Sequence, residues 1–227
     1  MLHRTGANSF FDAQDIWRGQ TGPTHHATER RQLPRRDLQS NVTACGQLID
    51  TIGYLELRDL FRTFLGSGPD SAIIEIFLTS VDYGVQVRKV CGRCSDFPSG
   101  TTTCLPDDYG YNALHSGLLI VPLDEDDQIK SGTSPVNILC HGTRSGNQDI
   151  PSSQWSRTAP DPEALLAVLV SSISGTYGIV PDYTGYGESS DYFRAYIVRK
   201  AYGTALYPLL KESEVVISQE TNVGIGR

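Results

Sequence analysis

The chain reads as an α/β protein built on a mixed, mostly parallel sheet, and three stretches predict it. Pro135 to Ser190 holds two short β-rich apolar runs, Asn137–Cys140 and Tyr177–Pro181, separated by an amphipathic helical stretch. A parallel pair joined by a crossover helix needs about 30 residues or more, and this segment supplies them. Upstream, Tyr83–Val90 alternates apolar and polar with period two, as a half-buried strand does. The run Ala113–Leu123, with SGLLIVPL inside it, reads as a second such strand. Two antiparallel entry strands followed by β-α-β-α is the expected order.

Residues 1–40 come first, with His25, His26 and Arg30, Arg31, Arg35 and Arg36 among Gly, Thr, Gln and Pro. No periodicity organises them, so a disordered or irregular extension is expected. A helical lead-in follows over 41–80. Leu57, Leu60, Phe61, Phe64 and Leu65 lie three and four apart, on one helical face, and Gly66-Ser67-Gly68-Pro69 stops that helix. Ala72–Leu78 fits either a helix or a strand. From 81 to 227 the chain reads as one α/β unit.

Within that unit, the loop between the entry strands is rich in Gly, Pro, Ser, Thr and Asp and carries cysteines. Asp124-Glu125-Asp126-Asp127 is a solvated acidic turn, with cation binding as the sharper alternative. In the crossover helix Asp161 caps the free N–H groups, Pro162 fits the first turn and Gly175 the stop. Leu165, Leu166, Val168, Leu169 and Ile173 are expected against the sheet. Tyr177–Pro181 is almost wholly apolar because a parallel strand is covered on both faces. Ala201–Gln219 reads as a closing helix with Leu206, Leu209, Leu210 and Val216 inward, bent or begun at Pro208.

The ends of the two parallel strands carry the chemistry. His141-Gly142-Thr143 follows the first, and Asp182-Tyr183-Thr184-Gly185-Tyr186-Gly187-Glu188-Ser189 follows the second. This pairing resembles the α/β-hydrolase superfamily, and within it the secreted lipase and esterase-like serine hydrolases. The resemblance covers about residues 83–219. It implies an oxyanion loop at Gly142 and Thr143, whose backbone N–H groups face the charge that develops on an ester carbonyl. His141, Asp182, Gly185, Gly187 and Ser189 are then structural members of the loop motifs. Asp182 stands out of order for a triad acid, because the family runs Ser, then Asp or Glu, then His.

That family places its nucleophile in a G-x-S-x-G elbow, and this sequence has none. Gly142-Thr143-Arg144-Ser145-Gly146 sets its serine one position late, and Gly132-Thr133-Ser134 runs into Pro135 and Val136 without a second glycine. The resemblance therefore implies an incomplete α/β-hydrolase fold with no catalytic residue of the triad, inactive toward a small-molecule ester or lipid substrate as it stands. The alternative is a non-catalytic binding or interaction protein derived from the same fold.

Composition narrows the partners. A net charge of -7 and a pI near 5.2 argue against a nucleic-acid partner, which needs a concentrated basic face. No run approaches the roughly 18 consecutive apolar residues of a membrane span. No cofactor is implied. Of five cysteines, Cys140 sits in an apolar strand and is expected buried and reduced. Cys91-x-x-Cys94 with Cys104 lacks an evident fourth zinc ligand, so no metal is assigned. A disulfide from Cys104 to either Cys91 or Cys94 is the expected state. That state and the sequon Asn41-Val42-Thr43, with Asn41 as the glycan acceptor, fit secretion. The polar opening Met1-Leu2-His3-Arg4 lacks a signal's apolar core and fits a cytoplasmic chain unless the true start lies upstream. Acyl preference and oligomeric state are not written in these residues.

Overall fold

The computed structural model describes residues 45–65, 71–97, 104–130, 132, 134–142, 144, 146, 149–194 and 199–221. Its elements are β1 (Leu48–Ile52), α1 (Tyr54–Leu65), α2 (Ser71–Thr79), β2 (Gly84–Gly92), β3 (His115–Leu123), β4 (Val136–Ile138), α3 (Pro151–Gln154), α4 (Pro162–Ser174), β5 (Tyr177–Pro181) and α5 (Arg199–Thr221). The irregular extension expected over 1–40, the sequon at Asn41 and Thr143 all lie outside the described residues.

The strands form one sheet in the order β1-β2-β3-β5-β4. It is mixed, as expected, but antiparallel pairs dominate it. β1 runs antiparallel to β2, β2 to β3 and β3 to β5, and the parallel ladder joins β4 to β5. The expectation of a mostly parallel sheet is corrected on this point. Its cause is the added edge strand β1, together with an entry strand, β3, that pairs directly with β5.

β1 lies inside the stretch expected to be only helical. Its five residues, LIDTI, break strict alternation with a register shift between Leu48 and Asp50, so periodicity does not announce it. Distant groups hold it instead. Asp50 accepts from Trp155 Nε1 at 3.1 Å and from Arg157 Nη2 at 2.7 Å, and the same Arg157 nitrogen donates to Thr51 O. Partial burial pushes the Asp50 carboxyl up, but the Arg157 and Trp155 hydrogen bonds outweigh it and leave the pKa below the usual carboxylate value. Just before the strand, Cys45 is bonded to Cys91 at the far end of β2.

Two apolar layers cover the sheet. On one face α1, α2 and α4 pack Leu57, Phe61, Leu78, Ala164, Ala167 and Val168 against Val85, Val87, Leu118, Ile120 and Val180. The α2 helix settles the ambiguous 72–78 run, and its carboxyl end is closed by Arg58, which donates to Val81 O. On the other face Leu209 and Ile217 of α5 pack on Val90, Leu119, Val121, Tyr177 and Ile179.

The α4 helix begins and ends as the sequence indicates. Asp161 accepts from the N–H groups of Glu163 and Ala164, Pro162 opens the helix, and Gly175 closes it in the left-handed conformation. Its packing differs from expectation at Leu166, which is exposed, while the small residues Ala164, Ala167, Ser171 and Ser172 are buried. Small side chains let the helix axis approach the sheet, and the leucines flank the contact. In α5 the buried residues Ala201, Ala205, Leu209, Ser213 and Ile217 recur every fourth position. Leu206, Leu210 and Val216, expected inward, pack at the margin. Pro208 lies within this helix. It leaves the Thr204 carbonyl without its helical donor, and that oxygen lies 3.4 Å from Cys94 Sγ.

Cys94 is bonded to Cys104. The structure thus chooses one of the two expected partners for Cys104 and gives Cys91 to Cys45. Cys140 departs from its expected burial: β4 ends at Ile138, two residues earlier than the predicted strand, and the thiol is free and exposed. Among the described residues no helix is long and apolar enough to cross a membrane.

Loop-closure entropy ranks the two disulfides. The sequence separation is 46 residues for Cys45–Cys91 and 10 for Cys94–Cys104. Replacing Cys45 and Cys91 together by alanine is expected to cost about 4 kcal/mol of unfolding free energy, and the same change at the second bridge about 3 kcal/mol. Chemical denaturation of each double variant checks this, and a loss below about 1 kcal/mol for the first would contradict it.

Candidate functional site

The carboxyl ends of β4 and β5 lie side by side, so the loops that leave them share one end of the sheet. Open α/β sheets place ligands there. The first loop carries His141 and Gly142, with Arg144 beyond them. The second runs from Asp182 to Ser189.

The two loops touch through their rings. His141 is buried and its ring lies tilted against that of Tyr183 at 4.5 Å, and Tyr183 meets Tyr202 of α5 edge-on at 4.9 Å. The His141 Nδ1 lies 2.6 Å from Gly142 O, and its Nε2 lies 3.4 Å from Asp182 O. Both nitrogens face backbone carbonyls, so the ring ties one loop to the other. Tyr186 adds a second tie, donating from its hydroxyl to Arg144 O at 2.8 Å. Desolvation pushes the Tyr183 hydroxyl far above its ordinary pKa, and the neighbouring Cys140 thiol acts in the same direction.

Below the rings lies Asp182, fully buried and, among the described residues, without a cationic partner at hydrogen-bonding distance. Its carboxylate accepts from Ser116 Oγ at 2.6 Å, from Ser152 N at 3.0 Å and from Ser152 Oγ. Ser116 opens β3 and Ser152 lies in α3, so one carboxyl group joins two strands and a helical turn. Burial nevertheless pushes its pKa up, with the serine hydrogen bonds opposing. Sequence reading missed both serines, for Ser116 is one polar residue in an apolar strand and Ser152 lies 30 residues upstream of its partner.

The glycines of the second loop let it fold onto this group. Gly187 has φ +54°, and a Cβ there would stand 2.7 Å from Asp182 Oδ2 and closer still to Ser116 Oγ. Gly185 has φ +89°, and its Cβ would strike the Arg194 backbone at 2.7 Å. Ser189 Oγ accepts from Gly185 N at 3.0 Å and donates to Tyr186 O at 2.8 Å, which closes the turn on itself. Tyr183 holds φ +65° without being glycine, a costly conformation that its flanking rings sustain. Lys89 of β2, buried in the sheet, pairs with Glu188 at 2.5 Å and fixes the loop's far side.

The first loop is held from α4. Arg144 pairs with the buried Asp161 at 2.7 Å and with Glu163. Glu163 Oε1 in turn accepts from Gly142 N at 3.4 Å. Partial burial raises the Glu163 pKa, but the Gly142 amide and the Arg144 charge bring the net value below the usual one. The Arg144–Glu163 pairing was not anticipated. Its signal in the sequence was an arginine just after the HGT triplet and a glutamate in the first turn of the next helix.

His115, at the start of β3, is buried with Nε2 3.0 Å from Gly110 O and no hydrogen-bond partner on Nδ1. Burial pushes its pKa down to about 4. No group of three or more His, Cys, Asp or Glu among the described residues is placed to hold a metal ion. A separate open cleft of about 520 Å3, lined by Tyr54, Asp82, Tyr83, Asp124, Glu125 and Lys130, sits at the opposite end of the sheet from these loops. The acidic turn contributes Asp124 and Glu125 to its wall, and Asp124 Oδ1 is already occupied by the N–H groups of Asp126 and Gln128.

With this geometry in view, comparison with solved structures finds a crystal structure of a putative hydrolase from Legionella pneumophila, with a TM-score of 0.51 and 17% sequence identity. The likeness covers 79% of this chain and 40% of that one. At that identity it shows a shared fold: a mixed five-stranded sheet with helices, arranged as in a hydrolase-like neighbour. The chain spans less than half the length of that neighbour. No family model matches the sequence, and no curated protein does.

Two outcomes follow from the buried groups. Asp182→Ala strands the Ser152 N–H and is expected to cost about 3 kcal/mol, read by chemical denaturation. A cost under about 1 kcal/mol would contradict the role given to this carboxyl group. His115 has a folded pKa below its unfolded value, so its contribution is whole above about pH 6.5 and is lost as pH falls toward about 4. The gap sets a ceiling of about 3 kcal/mol on that loss. His115→Gln, which keeps a donor for Gly110 O, is expected to flatten the acid limb of the stability curve. Asp182, with its raised pKa, acts in the opposite sense, so the difference between wild type and variant isolates the histidine.

Proposed function

We propose that this chain is the amino-terminal portion of a serine ester hydrolase of the lipase and esterase-like kind, acting in its complete form on a small-molecule ester or lipid. The observation that carries the reading is the meeting of the 141–144 and 182–189 loops over adjacent parallel strands, in a fold shared with a hydrolase more than twice the matched length.

Cleaving an ester requires a nucleophile, a base that takes its proton, and N–H donors for the oxygen that becomes negative. Of these, the reading assigns the donors, to the backbone of Gly142 and Thr143. The buried serines Ser116, Ser152 and Ser189 are consumed by Asp182 and by the loop backbone, so none is free to attack a carbonyl. His141 faces carbonyls on both sides and has no serine to activate. On this reading the chain as given is inactive, and its loops form the donor side of a site whose nucleophile comes from elsewhere.

The sheet edge agrees with this reading. Leu139 N donates to Ile179 O and Tyr177 N to Pro135 O, so the backbone groups of Ile138 point away from β5. Ile138 is 41% exposed there, and among the described residues no strand covers that side. An open edge of this kind invites another strand.

Two measurements test the proposal. Purified protein is expected to hydrolyse p-nitrophenyl acetate no faster than buffer and to remain unlabelled by a fluorophosphonate probe, whereas stoichiometric labelling would overturn it. The chain is also expected to self-associate with rising concentration in sedimentation, and Ile138→Lys to reduce that association. A wild-type chain that stays monomeric would favour the non-catalytic binding protein instead.

A further inference from the structure

The first loop contains a contact that an oxyanion site should not have. Gly142 N, the described member of the donor pair, already donates to Glu163 Oε1. A carboxylate stands where the negative oxygen of a substrate would have to sit, and two negative oxygens on one N–H repel each other.

We infer that Glu163 governs access to the Gly142 amide: its carboxylate holds the donor while the site is empty, and an incoming oxygen reaches the N–H only when Glu163 turns away. The inference rests on the reading of this loop as a donor site and assigns a positioning role to a residue outside both motifs.

Three features make the contact displaceable. At 3.4 Å it is long for an N–H···O bond. The Glu163 side chain is 29% exposed, so a route to water is open to it. Its departure breaks the pair with Arg144, but Arg144 keeps a second carboxylate at 2.7 Å in Asp161, whose side chain is fully buried. Asp161 itself stays locked by the N–H groups of Glu163 and Ala164 at the start of α4. Tyr186 holds the Arg144 carbonyl from the other loop. The rest of the frame around the donor is fixed, and Glu163, held there by Arg144 and the Gly142 amide, is the part with a route to water.

The test reads the Gly142 amide directly by 15N–1H correlation spectroscopy, with acetate as the anionic probe. In Glu163→Ala and in Glu163→Gln the Gly142 amide proton is expected to move upfield from its wild-type position. Removing the competing charge should also let acetate perturb that amide with an apparent affinity at least about fivefold tighter than in wild type. Glu163→Gln keeps the side-chain shape should the alanine variant fold poorly. The double variant Arg144→Ala/Glu163→Ala separates the amide from the guanidinium: the Gly142 response to acetate should survive in it. Equal acetate response in wild type and both single variants would overturn the inference, as would a response that disappears with Arg144. Neither result bears on probe labelling, so failure here is distinct from failure of the proposed function.

Discussion

A single carboxyl group organises the candidate site. Asp182 lies buried just past the end of β5, and three donors from β3 and α3 converge on it. Burying a carboxyl group is costly unless its oxygens are satisfied, and here satisfying them forces Ser116, Ser152 and the glycine loop into one place. The absence of a side chain on Gly187 is what lets the loop close over the group. From that closure come the position of Tyr183, its ring contact with His141, and the reach of the Tyr186 hydroxyl to the first loop.

What the sequence disclosed, and what it hid, follow from the range of the forces involved. The crossover helix was legible to the residue because its signals are local: Asp161, Pro162 and Gly175 act within one turn of themselves. The long strands β2 and β3 were legible because their apolar patterns run for nine residues each. β1 was not, since its five residues owe their place to Trp155 and Arg157, about a hundred positions away. The extent of β4 misled for a related reason. Apolar Leu139 and Cys140 suggested a longer strand, but at this edge the strand stops at Ile138 and Cys140 is exposed.

The candidate site was legible as motif and not as mechanism. HGT and the glycine loop named the two places that meet, and residues near those motifs in the fold supply the chemistry that holds them. Ser116 and Ser152 complete Asp182. Arg144 and Glu163 brace Gly142. No spacing rule links these partners, because the sheet brings them together only after β3, β4 and β5 have paired. The outcome is a loop braced at Gly142 by Glu163, next to an aromatic contact between His141 and Tyr183.

The central claim is that the loops following β4 and β5 meet at one end of the sheet. The most direct measurement of it is the nuclear Overhauser effect between the ring protons of His141 and Tyr183 in the folded chain. With ring centroids 4.5 Å apart, strong cross-peaks are predicted between these two rings, alongside those from Tyr183 to Tyr202. Cross-peaks from Tyr183 to Tyr202 with none to His141 would place the first loop elsewhere and contradict the account.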